Sequence, residues 1–153
     1  MTDAIVSAYV RPEGAYITAS DRTTVGVWME SAHWEFVQTD RPEEVGEAVL
    51  RRLNDAPRIV RHPERDEFSV LRSGIVAPLL RLASVTSWKT FVSGAVLVDV
   101  RRGDAVTVSP MRRDGRGFSP LAESSEALDD SDAVRIGGAV LRAARIAVEY
   151  EGK

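Results

Sequence analysis

The side chains that most often bind metals or act as nucleophiles are sparse in this chain. It has 153 residues, no cysteine and two histidines, His33 and His62. Glu30, Glu35 and Glu64 are near these histidines in sequence, but none of them stands at a recognised metal-ligand spacing. The lack of cysteine excludes disulfide scaffolds, thiol proteases and cysteine-ligated metal sites. We therefore expect no metal, no cofactor and no catalytic residue.

Motifs for hydrolysis and phosphate binding are missing as well. Serine and aspartate are plentiful, yet no Gly-x-Ser-x-Gly nucleophile elbow occurs. The glycines at 114–117 and 137–138 are not followed by the Lys-Ser/Thr pair of a phosphate-binding loop. Turn formation and helix packing explain these glycines better. An enzyme is therefore the weakest of the functions that the sequence suggests.

An arginine-rich segment is one candidate binding site. Residues 101–116 contain five arginines against two aspartates, a local charge of +3, with Phe118 nearby. Basic strips with aromatic neighbours can contact phosphates and stack bases, although charges also protect exposed strand edges from pairing. One alternative is thus a small nucleic-acid-binding regulator that uses this segment with Phe118 or Trp88. Its arginines are Arg101, Arg102, Arg112, Arg113 and Arg116.

An acidic segment is the second candidate. Residues 123–132 carry five carboxylates and no basic residue, a local charge of −5. Such a segment can dock a basic protein, or it can be a flexible, solvated loop that ends in a helix cap. A predicted helix that starts near residue 42 adds three more carboxylates on its outer face. The candidate partner-binding residues are Glu123, Glu126, Asp129, Asp130, Asp132, Glu43, Glu44 and Glu47.

The first third of the chain predicts an antiparallel meander followed by a helix. Apolar alternation and turn residues predict strands at 4–10, 15–19, 25–30 and 33–37. Asp40, Pro42 and the glutamates after Pro42 are typical of a helix start. Apolar residues at helical spacing then continue the helix until 54–57. Its predicted inner face consists of Val45, Ala48, Val49, Arg52 and Leu53.

The middle of the chain is less regular. Residues 58–68 predict a surface loop with at most a short strand. One short or kinked helix is expected at 70–83, because Gly74 and Pro78 interrupt its apolar spacing. Residues 84–111 predict β structure, with two strands joined at the tip by Arg-Arg-Gly-Asp. Those strands lie at 94–100 and 105–109 and are followed by a turn at 114–117 and residues 118–121.

A final helix completes an α+β domain. Asp130 or Ser131 is expected to cap it, with Asp132 in the first turn. Gly137 and Gly138 should let its apolar stripe approach a sheet closely. That stripe consists of Ala133, Ile136, Gly137, Val140, Ala144, Ala147 and Val148. We expect one domain over 1–153, with a mostly antiparallel twisted sheet of about six strands and its helices packed on one face.

Several short motifs together resemble a known family. They are the run Thr-Ser-Trp-Lys-Thr-Phe at 86–91, Gly94-Ala95, the strand pair around 102–104, Thr-Val-Ser-Pro at 107–110 and Gly117-Phe118. This progression is similar to that of the CdiI family, the immunity proteins of contact-dependent growth-inhibition systems. The strand at 24–28 and the Ile136-Gly137 pair of the last helix also fit. The resemblance covers roughly residues 24 to 148.

The resemblance implies a non-catalytic protein that binds and neutralises the C-terminal domain of a cognate toxin, often a nuclease. No catalytic residue is carried over. The matching positions are expected to be structural: aromatic core anchors, a glycine where backbone passes closely, and a proline that ends a strand. These positions are Ser87, Trp88, Phe91, Gly94, Pro110, Gly117 and Phe118.

Charge and hydropathy favour a cytoplasmic protein with a protein partner. The net charge of −3 is small and of the wrong sign for a general polyanion binder. The start of the chain lacks a basic segment followed by an apolar one, and no apolar stretch approaches the ~20 residues that cross a bilayer. We therefore expect a cytoplasmic location, no membrane association and no nucleic-acid partner.

Overall fold

The computed structural model describes residues 3–55, 57–115, 117–129 and 132–152. The strands within these residues are β1 (Ala4–Arg11), β2 (Gly14–Thr23), β3 (Trp28–Glu30), β4 (Glu35–Val37), β5 (Ile59–Val60), β6 (Val96–Arg102), β7 (Val106–Asp114), β8 (Gly117–Pro120) and β9 (Glu126–Leu128). The helices are α1 (Pro42–Asp55), α2 (Phe68–Ala83), α3 (Trp88–Ser93) and α4 (Ala133–Glu151). None of the described helices is both long and apolar enough to cross a membrane.

The strands form one mostly antiparallel sheet, so the expected α+β class is confirmed. Along its main path the strand order is β3-β2-β1-β6-β7-β8. β4 and the short parallel strand β5 also pair with β2, and β9 pairs with β7. The predicted meander is therefore modified: β3 and β4 follow each other along the same edge of β2 rather than adding two successive strands.

Alternation along the strands divides the core between the two faces of the sheet. Val6, Ile17 and Val98 point to one face, where they pack with buried residues of α1 and α4. Tyr9 and Leu97 point to the opposite face, where they pack with residues of α2 and α3. The expectation that the helices share one face holds for α1 and α4 only. An aromatic cluster beneath α2 and α3 makes the second face a core as well.

The glycine of the predicted stripe in α4 packs against a helix, not against the sheet as expected. A methyl group at Gly137 would lie 1.7 Å from the Pro42 carbonyl oxygen, and one at Gly46 would lie 1.7 Å from the Ala133 carbonyl oxygen. The first turns of α1 and α4 therefore touch backbone to backbone and run antiparallel. Gly138 lies off this contact, and Val148, also placed in the stripe, is 58% exposed.

Three other local predictions are corrected by the structure. The strand expected at 25–30 begins only at Trp28, and Val25 and Val27 lie exposed in the preceding turn. Part of the predicted β region at 84–111 is helical, because α3 occupies it. The acidic segment is not a loop throughout, since β9 pairs with β7.

Pro110 does not end a strand, as the resemblance implied, but lies inside β7 opposite Val98. Its carbonyl oxygen points away from β6 and accepts a hydrogen bond from the Leu121 backbone N–H at 2.8 Å. The backbone nitrogen of Pro110 points to that same side of β7. There β9 pairs only as far as Val108 and β8 pairs only from Met111, so no ladder hydrogen bond would use an N–H at position 110. The missing N–H of proline therefore costs no ladder hydrogen bond.

Candidate interaction surface

The acidic segment is held by several contacts of its own. Glu126 accepts two hydrogen bonds from the Arg142 guanidinium, at 2.8 and 2.9 Å. Hydrogen bonding to Arg142 lowers the pKa of Glu126. Asp132 caps α4 by accepting from the Arg135 backbone N–H at 3.2 Å. The predicted caps Asp130 and Ser131 lie outside the described residues, but the capping role belongs to Asp132. Two of the candidate carboxylates thus have a structural partner.

Glu123 and Asp129 differ from these two, because both are exposed and neither forms an ion pair within the described part of the chain. Glu123 lies in a short 3₁₀ turn at Ala122–Ser124, and Asp129 follows β9. A charge that makes no internal contact can meet a partner without first losing one. These two positions are the more available part of the segment.

The three glutamates of α1 are all exposed, as expected. Glu43 and Glu44 occupy the first turn, where carboxylates stabilise the positive end of the helix. Glu44 also lies 3.5 Å from the Arg41 guanidinium, while Glu47 lies one turn further on. Stabilisation of the helix start is therefore one role that the first two already have.

The structure brings the two acidic regions together, which their separation in sequence does not reveal. Gly46 of α1 contacts the backbone of Ala133 in α4. In the chain, Glu47 directly follows Gly46, and Asp132 directly precedes Ala133. The chain positions of Glu47 and Asp132 therefore lie next to one helix crossing. We name the surface formed by Glu43, Glu47, Asp129 and Asp132 the acidic crossing surface.

The arginines of 101–116 do not form one strip. Arg102 lies at the β6–β7 turn opposite Val106, and Arg113 lies near the β7–β8 turn, seven residues further along β7. The two are about 24 Å apart at the ~3.4 Å rise per residue of an antiparallel strand. Arg101 pairs with Asp99 at 2.8 Å, and Arg112 lies 3.9 Å from Asp114. Arg116 lies outside the described residues.

Two of these arginines cap helices from outside. Arg102 donates to the Leu53 carbonyl oxygen at 2.9 Å and to Asn54 Oδ1 at 2.8 Å, at the end of α1. Arg113 donates to the Ala95 and Val92 carbonyl oxygens just after α3 and at its end, and its guanidinium lies 5.7 Å from the Phe118 ring centroid. Because these side chains already satisfy backbone carbonyls, the arrangement does not favour the nucleic-acid alternative.

The positions that carry the family resemblance are mostly structural. Ser87 caps α3 by accepting from the Thr90 backbone N–H at 3.1 Å, and Phe91 is fully buried. Trp88 is half-buried and stacks on Phe91, with 5.7 Å between ring centroids. Gly94 ends α3, where the Arg11 guanidinium, and not backbone as expected, would meet an added methyl group at 3.2 Å.

Gly117 and Phe118, the remaining matching positions, begin β8 after the turn that follows β7. Gly117 is exposed, and it pairs with Asp114 across the turn. The Phe118 ring packs at the border of the aromatic cluster, 6.3 Å from the ring centroid of Tyr9. This ring is therefore a packing residue and not a free stacking platform.

Tyr9 is the centre of the aromatic cluster, which sequence reasoning did not single out. Its ring lies 5.5 Å from that of Trp88 and 5.8 Å from that of Phe91, both edge-on. Its hydroxyl donates to Glu30 Oε2 at 2.9 Å. Burial raises the pKa of Tyr9, and burial also raises the pKa of Glu30. Strand alternation could have placed Tyr9 on the face opposite Ala8, but not beside Glu30.

The histidines remain apart in the structure. His33 is exposed, whereas the His62 ring Nδ1 lies 3.1 Å from Thr23 Oγ1 and its ring packs against Phe68. Among the described residues, no three metal-ligating side chains come together. Within the described ranges the geometry therefore shows no recognisable metal centre.

Comparison with known proteins supports the fold. No protein family and no curated protein matches the sequence. Among solved structures, the protein of unknown function NMB0488 from Neisseria meningitidis is similar, with a TM-score of 0.80 and 14% identity over 95% of each chain. A chain of the CdiA-CT/CdiI toxin and immunity complex from Yersinia pseudotuberculosis is similar with a TM-score of 0.72 and 15% identity, over 95% of this chain and 97% of that one. At these identities the likeness establishes a shared fold.

Proposed function

We propose that this chain is an immunity protein that binds and neutralises the C-terminal domain of a contact-dependent growth-inhibition toxin. The supporting observation is the likeness over 95% of the chain to a member of a toxin and immunity complex. The sequence motifs at 86–118 resemble the immunity family independently of that likeness. On this proposal the protein acts in the cytoplasm, where an incoming toxin would meet its target.

Binding, rather than chemistry, is the role that we propose for the described part of the chain. It holds no cluster of metal-ligating side chains, and its buried titratable pair, Tyr9 and Glu30, is engaged in a hydrogen bond. An inhibitor needs only a surface complementary to the toxin. We propose that the acidic crossing surface contributes to it, with a nuclease domain of basic surface as the partner.

The proposal is tested by co-expression with the toxin. The C-terminal domain of a large secreted protein encoded beside this chain's gene is produced in a sensitive bacterium, with and without this chain. Protection of growth and recovery of a one-to-one complex from the same cells are expected. Growth arrest despite full expression of this chain, with no complex recovered, would overturn the proposal.

The nucleic-acid alternative predicts a different outcome. A regulator that used the arginines of 101–116 would bind a duplex with an affinity that falls steeply as salt rises. Duplex binding is compared between the wild type and two variants. Arg101→Gln removes an exposed positive charge of this segment, and Glu43→Gln is the control that removes a negative charge elsewhere. We expect no duplex binding by the wild-type chain and hence no effect of either change.

A further inference from the structure

A groove of about 470 Å³ runs between β3 and the first half of α2. β3 provides the indole of Trp28 and the chain of Met29, and α2 provides the opposite wall. Glu30 is the one carboxylate among the described residues that line it. The lining includes Trp28, Met29, Glu30, Phe68, Arg72 and Ile75. A single acid is thus set among aromatic and aliphatic side chains and one arginine, Arg72.

Glu30 has neutral hydrogen-bond donors but no cation in contact. Tyr9 donates to one carboxylate oxygen at 2.9 Å, and the nearby Ser7 side chain helps to lower the pKa of Glu30. Within the described chain, no basic group lies within 4.0 Å of this carboxylate. The nearby Arg72 guanidinium instead lies over the Trp88 ring, 5.3 Å from its centroid. A part-buried carboxylate that has Arg72 nearby but no cation in contact gains from a cation that enters.

The walls of the groove suit the apolar part of a cationic side chain. The Trp28 ring already has the Arg22 guanidinium 5.6 Å from its centroid, so one cation of this chain uses the same ring. Phe68 and Ile75 offer apolar surface on the other wall. Lysine and arginine combine a methylene stem that packs on such surface with a charged end.

A protein, rather than a free amine, fits the surroundings of the groove. Two large apolar side chains at its rim are exposed, since Phe68 is 40% and Val27, just before β3, is 45% exposed. Val70 and Leu71, which are 75% and 41% exposed, line a neighbouring groove along α2. A small amine would leave them in water, whereas a protein surface would cover them while one side chain enters the groove.

We propose that this groove receives one lysine or arginine side chain of the protein partner, with Glu30 as its counter-charge and Trp28 and Phe68 along its stem. This proposal rests on the proposed function, because it takes the toxin domain as the protein partner. It assigns the specific contact to a residue outside the acidic crossing surface. The acidic crossing surface then attracts the toxin at long range, while the groove binds one lysine or arginine side chain of the toxin.

Binding of the cation is coupled to the proton on Glu30. The charged or titratable groups that face it are Tyr9 from β1, Asp99 from β6 and Arg72 from α2. Burial raises the pKa of Glu30, and Asp99 raises it further, against the lowering effect of the hydrogen bonds and Arg72. A bound cation favours the ionised carboxylate, so binding releases a proton. Affinity for the cation therefore rises with pH until Glu30 is ionised in the free protein.

The first test needs no toxin. n-Butylammonium and n-butylguanidinium are titrated into the full chain while the indole N–H signal of Trp28 is followed by NMR, with Trp28→Phe for assignment and n-butanol as the neutral control. We expect saturable shifts with both cations, and at least ten-fold weaker binding to Glu30→Gln. Glu47→Gln, which removes an exposed carboxylate of α1, should bind as the wild type does. Equal affinities of Glu30→Gln and wild type, or no saturable shift at all, would overturn the groove assignment.

The second test uses the toxin complex and separates the two proposals. Glu30→Gln should weaken the complex at least ten-fold, mainly through faster dissociation, whereas Glu47→Gln should act mainly on association. Gln can still accept the Tyr9 hydrogen bond, and an unchanged circular dichroism spectrum verifies that the variant folds. A complex that forms equally well with Glu30→Gln would overturn the groove assignment and leave the proposed function standing. Failure of the wild-type chain to bind the toxin would overturn the proposed function.

Discussion

Replacing Gly137 by alanine should destabilise the protein, although alanine is the better helix former. In a helix interior, alanine is favoured over glycine by about 0.8–1.0 kcal/mol. Here the new methyl group would lie 1.7 Å from the Pro42 carbonyl oxygen and 2.9 Å from the Gly46 nitrogen, against at least 3.4 Å for ordinary contact. Helices α1 and α4 would have to separate by about 1.7 Å, since neither backbone atom can turn away as a side chain could.

The size of the effect follows from these two opposing contributions. Overfilling a packed core costs typically 1–3 kcal/mol, and a backbone-to-backbone overlap belongs at the upper end, about 3 kcal/mol. After the gain in helix propensity, Gly137→Ala should lower the free energy of unfolding by about 2 kcal/mol. Gly138→Ala is the matched control, because its methyl group would meet only the flexible Arg142 guanidinium at 3.2 Å. That variant should be more stable than the wild type by about 0.5 kcal/mol.

The assay is urea unfolding followed by far-ultraviolet circular dichroism. With a slope of about 2 kcal/mol/M, Gly137→Ala should lower the midpoint by about 1 M and leave the slope unchanged. Gly46→Ala, whose methyl group would lie 1.7 Å from the Ala133 carbonyl oxygen, should act in the same direction. If Gly137→Ala unfolds at or above the midpoint of Gly138→Ala, the close crossing of α1 and α4 is wrong.

Three further predictions concern the core, the buried acid and the acidic crossing surface. Val140→Asp puts an unpaired charge at a fully buried position and should cost about 3 kcal/mol or more, so an unchanged urea midpoint would contradict the packing of α4. Because the pKa of Glu30 is raised in the folded state, the wild type loses stability as pH rises above the ordinary value of 4.5. Glu30→Gln should therefore gain more over the wild type at pH 8 than at pH 4, and a pH-independent difference in urea midpoint would refute this. Neutralising Glu43, Glu47 and Asp129 together should slow toxin association several-fold and flatten its salt dependence, while stability changes by less than about 0.5 kcal/mol per site. Association kinetics at two ionic strengths test this prediction. An unchanged association rate would mean that the toxin binds a different surface.

The candidate carboxylates show how far reasoning from sequence reaches towards a binding surface. Their number and exposure in α1 follow from the sequence, because helical spacing separates Glu43 and Glu47 from the apolar face. That Glu126 is committed to Arg142, 16 residues away, depends on where β9 and α4 lie relative to each other, whereas the Asp132 cap joins residues only three positions apart. Glu30 shows the same dependence, since its partner Tyr9 is 21 residues away.

The sequence by itself determined the helices and strands that are specified by residues close together in the chain. Capping residues and helical spacing predict α1, and alternation with turn residues predicts the β1–β2 and β6–β7 hairpins, because neighbours in sequence set these patterns. The tertiary structure alone decided the rest. The six residues of α3 are too few to show a helical period, and its Trp88 and Phe91 suit a strand equally well until the second sheet face buries them. Likewise, the reason for glycine at 137 is the backbone of Pro42, because close packing between distant segments leaves no mark on the spacing of either one.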